Sequence, residues 1–296
     1  MKSNKLDQFY TSELVVNEFL SILKSKKIIN ENSILIEPSA GDGKFLDGFK
    51  CFFPKNIYEA YDIEKNHPNV LEQDFLQIQK THNSRYVVIG NPPFGYKSKM
   101  AISFINKSSE FSDIVCFVLP IQFRRWSVQK QINKDFKLIY SSDNLPRNSF
   151  LVKNKPYNVN CLLQIWVNKK NVKFDKYKDL RIYEKPKNKH EDFKLWIHNN
   201  TNETLKYFDK DKYKWDFAVV RQGYYDYKEK IINPLNLIQN RQYLFVKYIN
   251  QQSKLIFEKI DFEKLSNSNT SVKGFSNTDL VAEYEQIKNN FLDIKE

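Results

Sequence analysis

The chain has 296 residues, of which 41% are hydrophobic and 28% are charged, so it has room for one large domain and a smaller second one. Its net charge of +12 favours a polyanionic partner, because each lysine or arginine placed against a phosphate releases condensed counterions. Three widely spaced cysteines, four isolated histidines and the lack of a long apolar run argue against a disulfide framework, a metal site and a membrane span. We therefore expect a cytoplasmic protein, or a nuclear one in a eukaryote, without a membrane partner.

Strands and helices are predicted to alternate along the first part of the chain. Apolar residues at helical spacing predict helices at 12–23, from about 44, and at 100–111. Short apolar runs predict buried strands, which lie at 33–37, 56–61, 86–90, 113–119, 138–141 and 160–167. The segment 144–158 contains two prolines and is predicted to be a loop. The alternation predicts an α/β fold with a doubly wound, Rossmann-like sheet that is covered on both faces.

The composition changes after Val167. Residues 169–189 carry nine Lys or Arg against three Asp or Glu, and the alternation of strands and helices ends there. We therefore place a domain boundary near residue 168. The larger domain is predicted at 1–168 and a smaller C-terminal domain at 169–296.

Polar residues and glycines follow three of the predicted strands. Gly41-Asp42-Gly43 follows the first, Asp62 the second and Asn91 the third. Ligands of doubly wound sheets bind at the carboxyl ends of the strands, so these residues are expected to meet. A single acid after the second strand suits the two hydroxyls of a ribose. Because the chain has neither GxGxxG nor a Walker lysine motif, a nucleoside without a polyphosphate fits this pattern best.

The tetrapeptide Asn91-Pro92-Pro93-Phe94 is the most informative motif. Two prolines remove two backbone donors and leave carbonyl acceptors, and Asn91 adds a side-chain acceptor beside them. Phe94 offers a flat face for stacking. The loop therefore suits a planar group with an NH2, whose nitrogen becomes nucleophilic when two acceptors pull on its hydrogens. A rigid turn that only closes a strand is the alternative interpretation.

Three motifs together, QFYT at 8–11, EPSAGDG at 37–43 and NPPF at 91–94, resemble S-adenosylmethionine-dependent amino-methyltransferases, chiefly DNA N6-adenine methyltransferases of the gamma motif order. The resemblance spans residues 8 to about 167. It implies a methyltransferase sheet of seven strands with the last one antiparallel, S-adenosylmethionine as the cofactor, and methyl transfer to the N6 amino group of a flipped adenine in DNA. It also implies that 169–296 is a target-recognition domain, as in sequence-specific enzymes of restriction-modification, orphan or phage type.

The resemblance also assigns roles to single residues. Asn91, Pro92, Pro93 and Phe94 match the catalytic loop, in which Asn91 also borders the cofactor. Phe150 matches the aromatic residue that packs on the other face of the extruded base. Asp62 is expected to hold the ribose hydroxyls and Asp74 the cofactor adenine. The other expected cofactor-binding residues belong to the first two motifs: Gln8, Phe9, Tyr10, Thr11, Glu37, Pro38, Ser39, Ala40, Gly41 and Gly43.

Basic residues outside these motifs are candidates for nucleic-acid contacts. Phosphate contacts are expected from two clusters, comprising Arg124, Arg125, Lys130, Lys169 and Lys170. Arg221 lies in an aromatic-rich stretch, 215–227, and is a candidate for reading base edges. A solvated charged face and a buried strand, respectively, are the alternative interpretations.

The substrate stays open between DNA and RNA. NPPFG followed by a lysine-rich segment and a helix also resembles rRNA adenine methyltransferases, and a basic domain can grip structured RNA by its shape. A different class of function is a non-catalytic nucleic-acid-binding relative, or a subunit of a modification complex with an accessory subunit or a partner restriction endonuclease. Binding of the cofactor distinguishes an enzyme from a binding module.

Overall fold

The computed structural model describes residues 9–152, 155–269 and 272–293, and for 291–293 it describes the backbone alone. The chain divides into two compact units, residues 1–184 and residues 185–296. Within the described residues, no helix combines the length and the apolar character that crossing a lipid bilayer requires. The sequence-based boundary at 168 falls 16 residues before this division (184 minus 168).

The first unit alternates strands and helices as the sequence predicts. Its strands and helices, in chain order, are β1 (Tyr10–Thr11), α1 (Glu13–Ser25), β2 (Ile34–Glu37), α2 (Lys44–Phe52), β3 (Ile57–Asp62), β4 (Leu71–Glu72), β5 (Tyr86–Gly90), α3 (Lys99–Ser109), β6 (Ile114–Pro120), α4 (Trp126–Gln129), β7 (Phe136–Ser141), β8 (Phe150–Val152), β9 (Lys155–Tyr157) and β10 (Cys161–Asn168). Short 3₁₀ turns lie at Phe75–Gln77, Tyr96–Ser98, Ile121–Arg124 and Val172–Phe174.

A seven-stranded sheet forms the centre of this unit, in the order β4-β3-β2-β5-β6-β10-β7. The five strands from β4 to β6 pair in parallel, whereas β10 is antiparallel to both β6 and β7. All seven residues of β6 are buried, as expected for a strand that is covered on both faces. The predicted fold class, a Rossmann-like sheet of seven strands with the last one antiparallel, is confirmed.

The chain reverses its direction of winding between β2 and β5. From β2 it continues to β3 on one side, and it returns to place β5 on the other side of β2. Ligands of doubly wound sheets bind at such a switch point. Here the two strand ends approach closely, because a Cβ atom on Gly90 would lie 3.1 Å from Cδ of Pro38. A glycine therefore suits the end of β5.

The segment predicted as a loop, 144–158, instead contains a β-hairpin. Strand β8 pairs with β9 and also with β1, so these three short strands form a separate sheet in the order β1-β8-β9. Pro156 sits in β9 at the edge of this sheet, where a missing N–H removes no inner ladder bond. The prediction of a loop was wrong because proline does not exclude an edge strand. Strand β4, which has only two exposed residues, was not predicted either.

The start of the basic segment packs on the first unit. Arg181, only 8% exposed, donates hydrogen bonds of 2.6–2.9 Å to four backbone carbonyls in the segment 129–136. Lys173 donates to the carbonyl of Ile28 at 2.8 Å. A buried guanidinium needs hydrogen-bond acceptors. The contacts of Arg181 and Lys173 therefore hold residues 169–184 within the first unit. Charge alone did not indicate this, because it does not distinguish a solvated cation from an anchored one.

The second unit is a small α+β domain. Its strands and helices, in chain order, are β11 (Phe193–His198), α5 (Lys210–Tyr213), β12 (Phe217–Gln222), β13 (Gln242–Tyr248), α6 (Gln251–Lys259), α7 (Phe262–Leu265) and α8 (Asn277–Asp293), with 3₁₀ turns at Asn202–Phe208 and Pro234–Asn236. The antiparallel sheet has the order β11-β13-β12. Asp192, immediately before β11, accepts hydrogen bonds from Tyr284 (2.8 Å) and Lys288 (2.9 Å), which hold α8 against the sheet.

Candidate active site

A cleft that is open to solvent lies at the carboxyl ends of the parallel strands. Eleven of the residues predicted from the motifs line it: Phe9, Tyr10, Pro38, Ser39, Gly41, Asp62, Asp74, Asn91, Pro92, Pro93 and Phe94. Five further lining residues were not predicted: Ile63, Asn66, Gln73, Phe75 and Phe104. The fold thus brings the three sequence motifs to one place, although up to 80 residues separate them along the chain.

Asn91 is held in one orientation by its neighbours. Its Nδ2 donates to the backbone carbonyl of Phe9 at 2.8 Å, and its own carbonyl accepts from Oγ of Ser39 at 3.1 Å. The side-chain Oδ1 is buried and has no hydrogen-bond partner among the described residues. An unsatisfied buried acceptor costs about 1–3 kcal/mol, so at a cleft this atom suits a hydrogen bond from a water or a bound ligand.

The glycine turn after β2 adopts a conformation that side chains disfavour. Gly41 has φ +51° and Gly43 has φ +83°, and a Cβ atom on Gly41 would lie 2.8 Å from Cε1 of Tyr10. The Gly41 N–H donates to Oδ2 of Asp62 at 2.7 Å, and the Glu64 N–H donates to Oδ1 at 3.1 Å. Each carboxylate oxygen can accept a second hydrogen bond. Asp62 is therefore positioned to accept from two hydroxyl groups beside a backbone that a ligand can approach closely.

Asp74 lies at a second polar position in the same cleft. Its Oδ1 accepts from the Leu76 N–H at 2.9 Å and caps the 3₁₀ turn Phe75–Gln77. The Phe75 ring stacks on that of Phe104 at 5.3 Å and 19°, so apolar rings lie next to this carboxylate. A planar base with an amino group matches this combination of an acceptor and apolar rings.

Four predicted cofactor residues do not line the cleft but support it, and Gln8 lies outside the described residues. Glu37 is 1% exposed, and burial raises the pKa of its carboxyl well above the ordinary value, partly offset by a hydrogen bond from the Leu46 backbone. Gly43 packs against His67, and Ala40 donates its N–H to the carbonyl of Tyr61 at 2.9 Å. Buried Thr11 lies in β1 and pairs with β8.

Phe150 does not occupy the position that the resemblance assigned to it. It is fully buried in the core of the first unit and does not line the cleft, so its ring has no free face for a base. Its cross-strand partner in the hairpin, Tyr157, is 42% exposed and stacks on Phe9 at 5.3 Å and 23°. Phe9 in turn stacks on Phe94 at 5.9 Å and 22°. Sequence reasoning missed Tyr157 because register within this segment was not predicted.

The predicted phosphate-binding residues do not line the cleft, and one of them, Arg124, uses its guanidinium for hydrogen bonds within the protein. Arg124 donates to Oδ1 of Asn144 at 2.8 Å and to the carbonyl of Ser142 at 2.6 Å, and burial lowers its pKa. Arg125 is half-buried. Three lysines are exposed: Lys130, which lies 4.4 Å from the Trp126 ring, Lys169, which donates to the carbonyl of Lys134, and Lys170.

Residues 50–187 match the family model of the EDM2 methyltransferase-like domain. The match covers 138 residues (50 to 187 inclusive), just under half of the chain, and it includes Asp62, Asp74 and the NPPF loop but not the glycine turn. No curated protein matches the chain. S-adenosylmethionine is the cofactor expected for a methyltransferase-like domain.

Several solved structures are similar to part of the chain at low identity. The type I restriction-modification system methyltransferase subunit from Streptococcus thermophilus is 16% identical, with 55% of this chain and 45% of that chain covered and a TM-score of 0.42. A candidate RNA methyltransferase from Pyrococcus horikoshii is 17% identical, with 56% and 90% covered and a TM-score of 0.44. A candidate class I S-adenosylmethionine-dependent methyltransferase from Listeria monocytogenes is 14% identical, with 58% and 64% covered and a TM-score of 0.46. The chain spans less than half the length of the type I modification subunits that it resembles.

Proposed function

We propose that this protein is a methyltransferase that transfers a methyl group from S-adenosylmethionine to the N6 amino group of adenine in DNA. The observation that carries the proposal is the buried Oδ1 of Asn91, which lines the cleft without a hydrogen-bond partner while Nδ2 is held by Phe9. The amide orientation is thereby determined, and the free atom is an acceptor. An acceptor in this position suits an N–H of the target.

The cofactor side of the cleft is proposed to lie between the glycine turn and Asp74. Asp62 would accept from the ribose hydroxyls, and Asp74 from the amino group of the cofactor base, next to the Phe75 ring. The close approach of Gly41 to Tyr10 leaves no space for a side chain at the turn. S-adenosylmethionine, when bound, supplies an electrophilic methyl group on a sulfonium. The two carboxylates favour a cationic ligand.

The target side is proposed to lie at the NPPF loop. Oδ1 of Asn91 and the carbonyl of Pro92 would each accept one hydrogen of the target NH2. The target nitrogen would accept the methyl group that the cofactor supplies, and it would carry a positive charge until one proton leaves to water. The two acceptors stabilise that developing charge, which is greater in the transition state than in the bound substrate.

The aromatic residues beside Asn91 support the proposal that the target NH2 is attached to a flat ring. Phe94, Phe9 and Tyr157 form a continuous stack next to the amide. An adenine flipped out of a duplex can replace one partner of such a stack, because base–ring contacts have the same geometry as ring–ring contacts. We assign the second stacking face to Tyr157 instead of Phe150. Neither residue lines the cleft, but Tyr157 is exposed and stacks on the cleft residue Phe9, whereas Phe150 is buried.

The proposal of DNA as the substrate is supported by the net charge of +12, which favours a polyanionic partner. Exposed Lys130, Lys169 and Lys170 remain candidates for phosphate contacts. RNA is the alternative substrate, and it is separated from DNA by the assay that follows.

The test is methyl transfer from labelled S-adenosylmethionine to duplex DNA, single-stranded DNA and rRNA in parallel, followed by analysis of the nucleosides. We expect N6-methyldeoxyadenosine from the wild type, and at least about a hundredfold lower rate for Asn91→Ala, which is about 3 kcal/mol of transition-state stabilisation. Asn32→Ala, an exposed asparagine before β2, is the matched control and should retain the rate. Methylcytosine as the product, or a rate unaffected by Asn91→Ala, would contradict the mechanism. Failure to bind the cofactor in calorimetry would favour a non-catalytic binding protein.

A further inference from the structure

One edge of the sheet in the second unit collects arginine and amide side chains. Because β13 is antiparallel to both β11 and β12, the ends of β11 and β12 lie at the same edge as the start of β13. His198 pairs with Tyr243 there, and Gln222 pairs with Gln242. Three segments meet at this edge, which we call the amide–arginine edge: 199–202, 221–225 and 239–242.

The composition of this edge differs from that of the unit around it. Its 13 residues (4 + 5 + 4) include seven Asn or Gln and two Arg, and no Lys, Asp or Glu. The two arginines, Arg221 and Arg241, are the only ones in residues 185–296, a stretch that contains 17 lysines. Lysine is the common cation of this chain, so a surface selected only for positive charge would contain lysine. The restriction of arginine to one edge indicates a need for its planar, forked donors.

Contacts between the three segments hold the arginines in place. Arg221 Nη1 donates to Oδ1 of Asn199 at 2.8 Å, which joins the segments after β12 and β11. The guanidinium of Arg241 lies 4.4 Å from the centroid of the Tyr225 ring, which joins the start of β13 to the segment after β12. The Nε of Arg221 is buried and has no hydrogen-bond partner among the described residues. Ordered donors lose less side-chain entropy when they bind a ligand than mobile lysines do.

We infer that the amide–arginine edge reads base edges in the major groove of duplex DNA; this inference rests on the proposed function. Arginine pairs in bidentate fashion with guanine O6 and N7, and Asn or Gln pairs with adenine N6 and N7. Three neighbouring strands span about 10 Å, and the major groove is about 12 Å wide. Tyr224, 74% exposed beside these groups, offers an apolar contact for a thymine methyl group. Phosphates, by contrast, would be contacted by lysines elsewhere on the unit.

The experiment expresses the full chain in a bacterial strain without adenine methyltransferases and locates N6-methyladenine in its genomic DNA by sequencing. The flanking bases of the methylated adenines give the site preference of each variant. Arg241→Ala removes the side chain, and Arg241→Lys keeps the charge but loses the planar fork. Lys254→Ala, an exposed cation on α6, is the control for loss of one positive charge. Gln239→Ala tests the same edge without touching either arginine.

We expect both Arg241 variants to lose discrimination at one or two flanking positions by about 5- to 150-fold, and Lys254→Ala to keep the wild-type preference. Gln239→Ala should also lower the discrimination between bases at a flanking position. This variant keeps the inference testable if Arg241→Ala folds poorly. An unchanged site preference in all the edge variants, with methylation retained, would overturn this inference alone. A uniform loss of methylation without a change of preference would also overturn it. If the wild type itself methylates no adenine in DNA, the proposed function fails, and the inference falls with it.

Discussion

The side-chain Nδ2 of Asn91 donates a hydrogen bond of 2.8 Å to the backbone carbonyl of Phe9, across 82 positions of sequence. The contact fixes the orientation of the amide, because Nδ2 donates to the protein and Oδ1 has no hydrogen-bond partner among the described residues. It also joins the N-terminal motif to the NPPF loop. Under the proposed function, the N-terminal segment would therefore belong to the target site as well as to the cofactor site.

Replacement of Tyr157 should weaken binding of the target base. Loss of one stacking face costs about 1–3 kcal/mol, so Tyr157→Ala should raise KM for DNA about 5- to 150-fold while kcat changes little. Tyr157→Phe keeps the ring and should retain the wild-type KM. Phe150→Leu is the contrasting variant: it should lower thermal stability and leave KM unchanged, because Phe150 is a core residue. The measurement is steady-state kinetics at saturating cofactor, and an unchanged KM for Tyr157→Ala would refute the assignment.

Neutralisation of Asp62 should weaken the cofactor complex. Hydrogen bonds to a charged group contribute about 1.5–3 kcal/mol, so Asp62→Asn should raise the Kd for S-adenosylmethionine about 10- to 150-fold in calorimetry. The matched control is Asp42→Asn, since this exposed carboxylate lies in the glycine turn next to Asp62 and pairs with Lys44 in solvent. The control should stay within about twofold of the wild type. Equal effects of the two variants on the Kd would show that only the net charge of this region contributes to cofactor binding.

Glu37 should make the stability of the first unit depend on pH. Burial raises the folded-state pKa of Glu37 above its ordinary value near 4.5. The folded state therefore holds a proton that the unfolded state releases, and stability is full below about pH 4.5 and falls as the pH rises towards the folded pKa. Glu37→Gln has no proton to lose. Its melting temperature relative to the wild type should therefore increase with pH until that pKa is passed.

Thermal unfolding from about pH 5 to about pH 9 measures this difference. Glu31→Gln is the control, because Glu31 is exposed and pairs with Lys55 in solvent at 2.9 Å. The control should run parallel to the wild type. Parallel curves for Glu37→Gln as well would mean that burial does not perturb the carboxyl in the folded protein.

Arg181 should be needed for the first unit to reach its full stability. Arg181→Ala leaves four backbone carbonyls without their donor, and we expect the free energy of unfolding to fall by about 3–5 kcal/mol. Arg181→Lys keeps the charge but cannot reach all four acceptors, so an intermediate loss is expected. Lys170→Ala, from the same basic segment, should have little effect. Denaturant unfolding measures the differences, and equal stability of Arg181→Ala and Lys170→Ala would contradict the anchoring role.

Local patterns in the sequence were sufficient for the strand–helix alternation and for most residues of the cleft. Strands such as β5 and β6 are continuous apolar runs, and their boundaries follow from burial on both sheet faces. Asp62 and Asn91 could be predicted as neighbours because parallel strands deliver their carboxyl ends to one edge. The conformation of Gly41 is likewise a local property, since only glycine adopts its φ at low cost.

Only the folded chain separates the residues that stay exposed from those that are buried or anchored in the fold. Phe150 and Tyr157 are both aromatic, and only the pairing of β8 with β1 and β9 buries one and exposes the other. Arg181 and Lys170 are both cations of one basic segment, yet only Arg181 meets four carbonyls. Such differences depend on contacts between residues that are distant in sequence. Desolvation and hydrogen-bond pairing of these residues arise only when the chain has folded. Composition and spacing therefore indicate the kind of site, but they do not determine which residues form it.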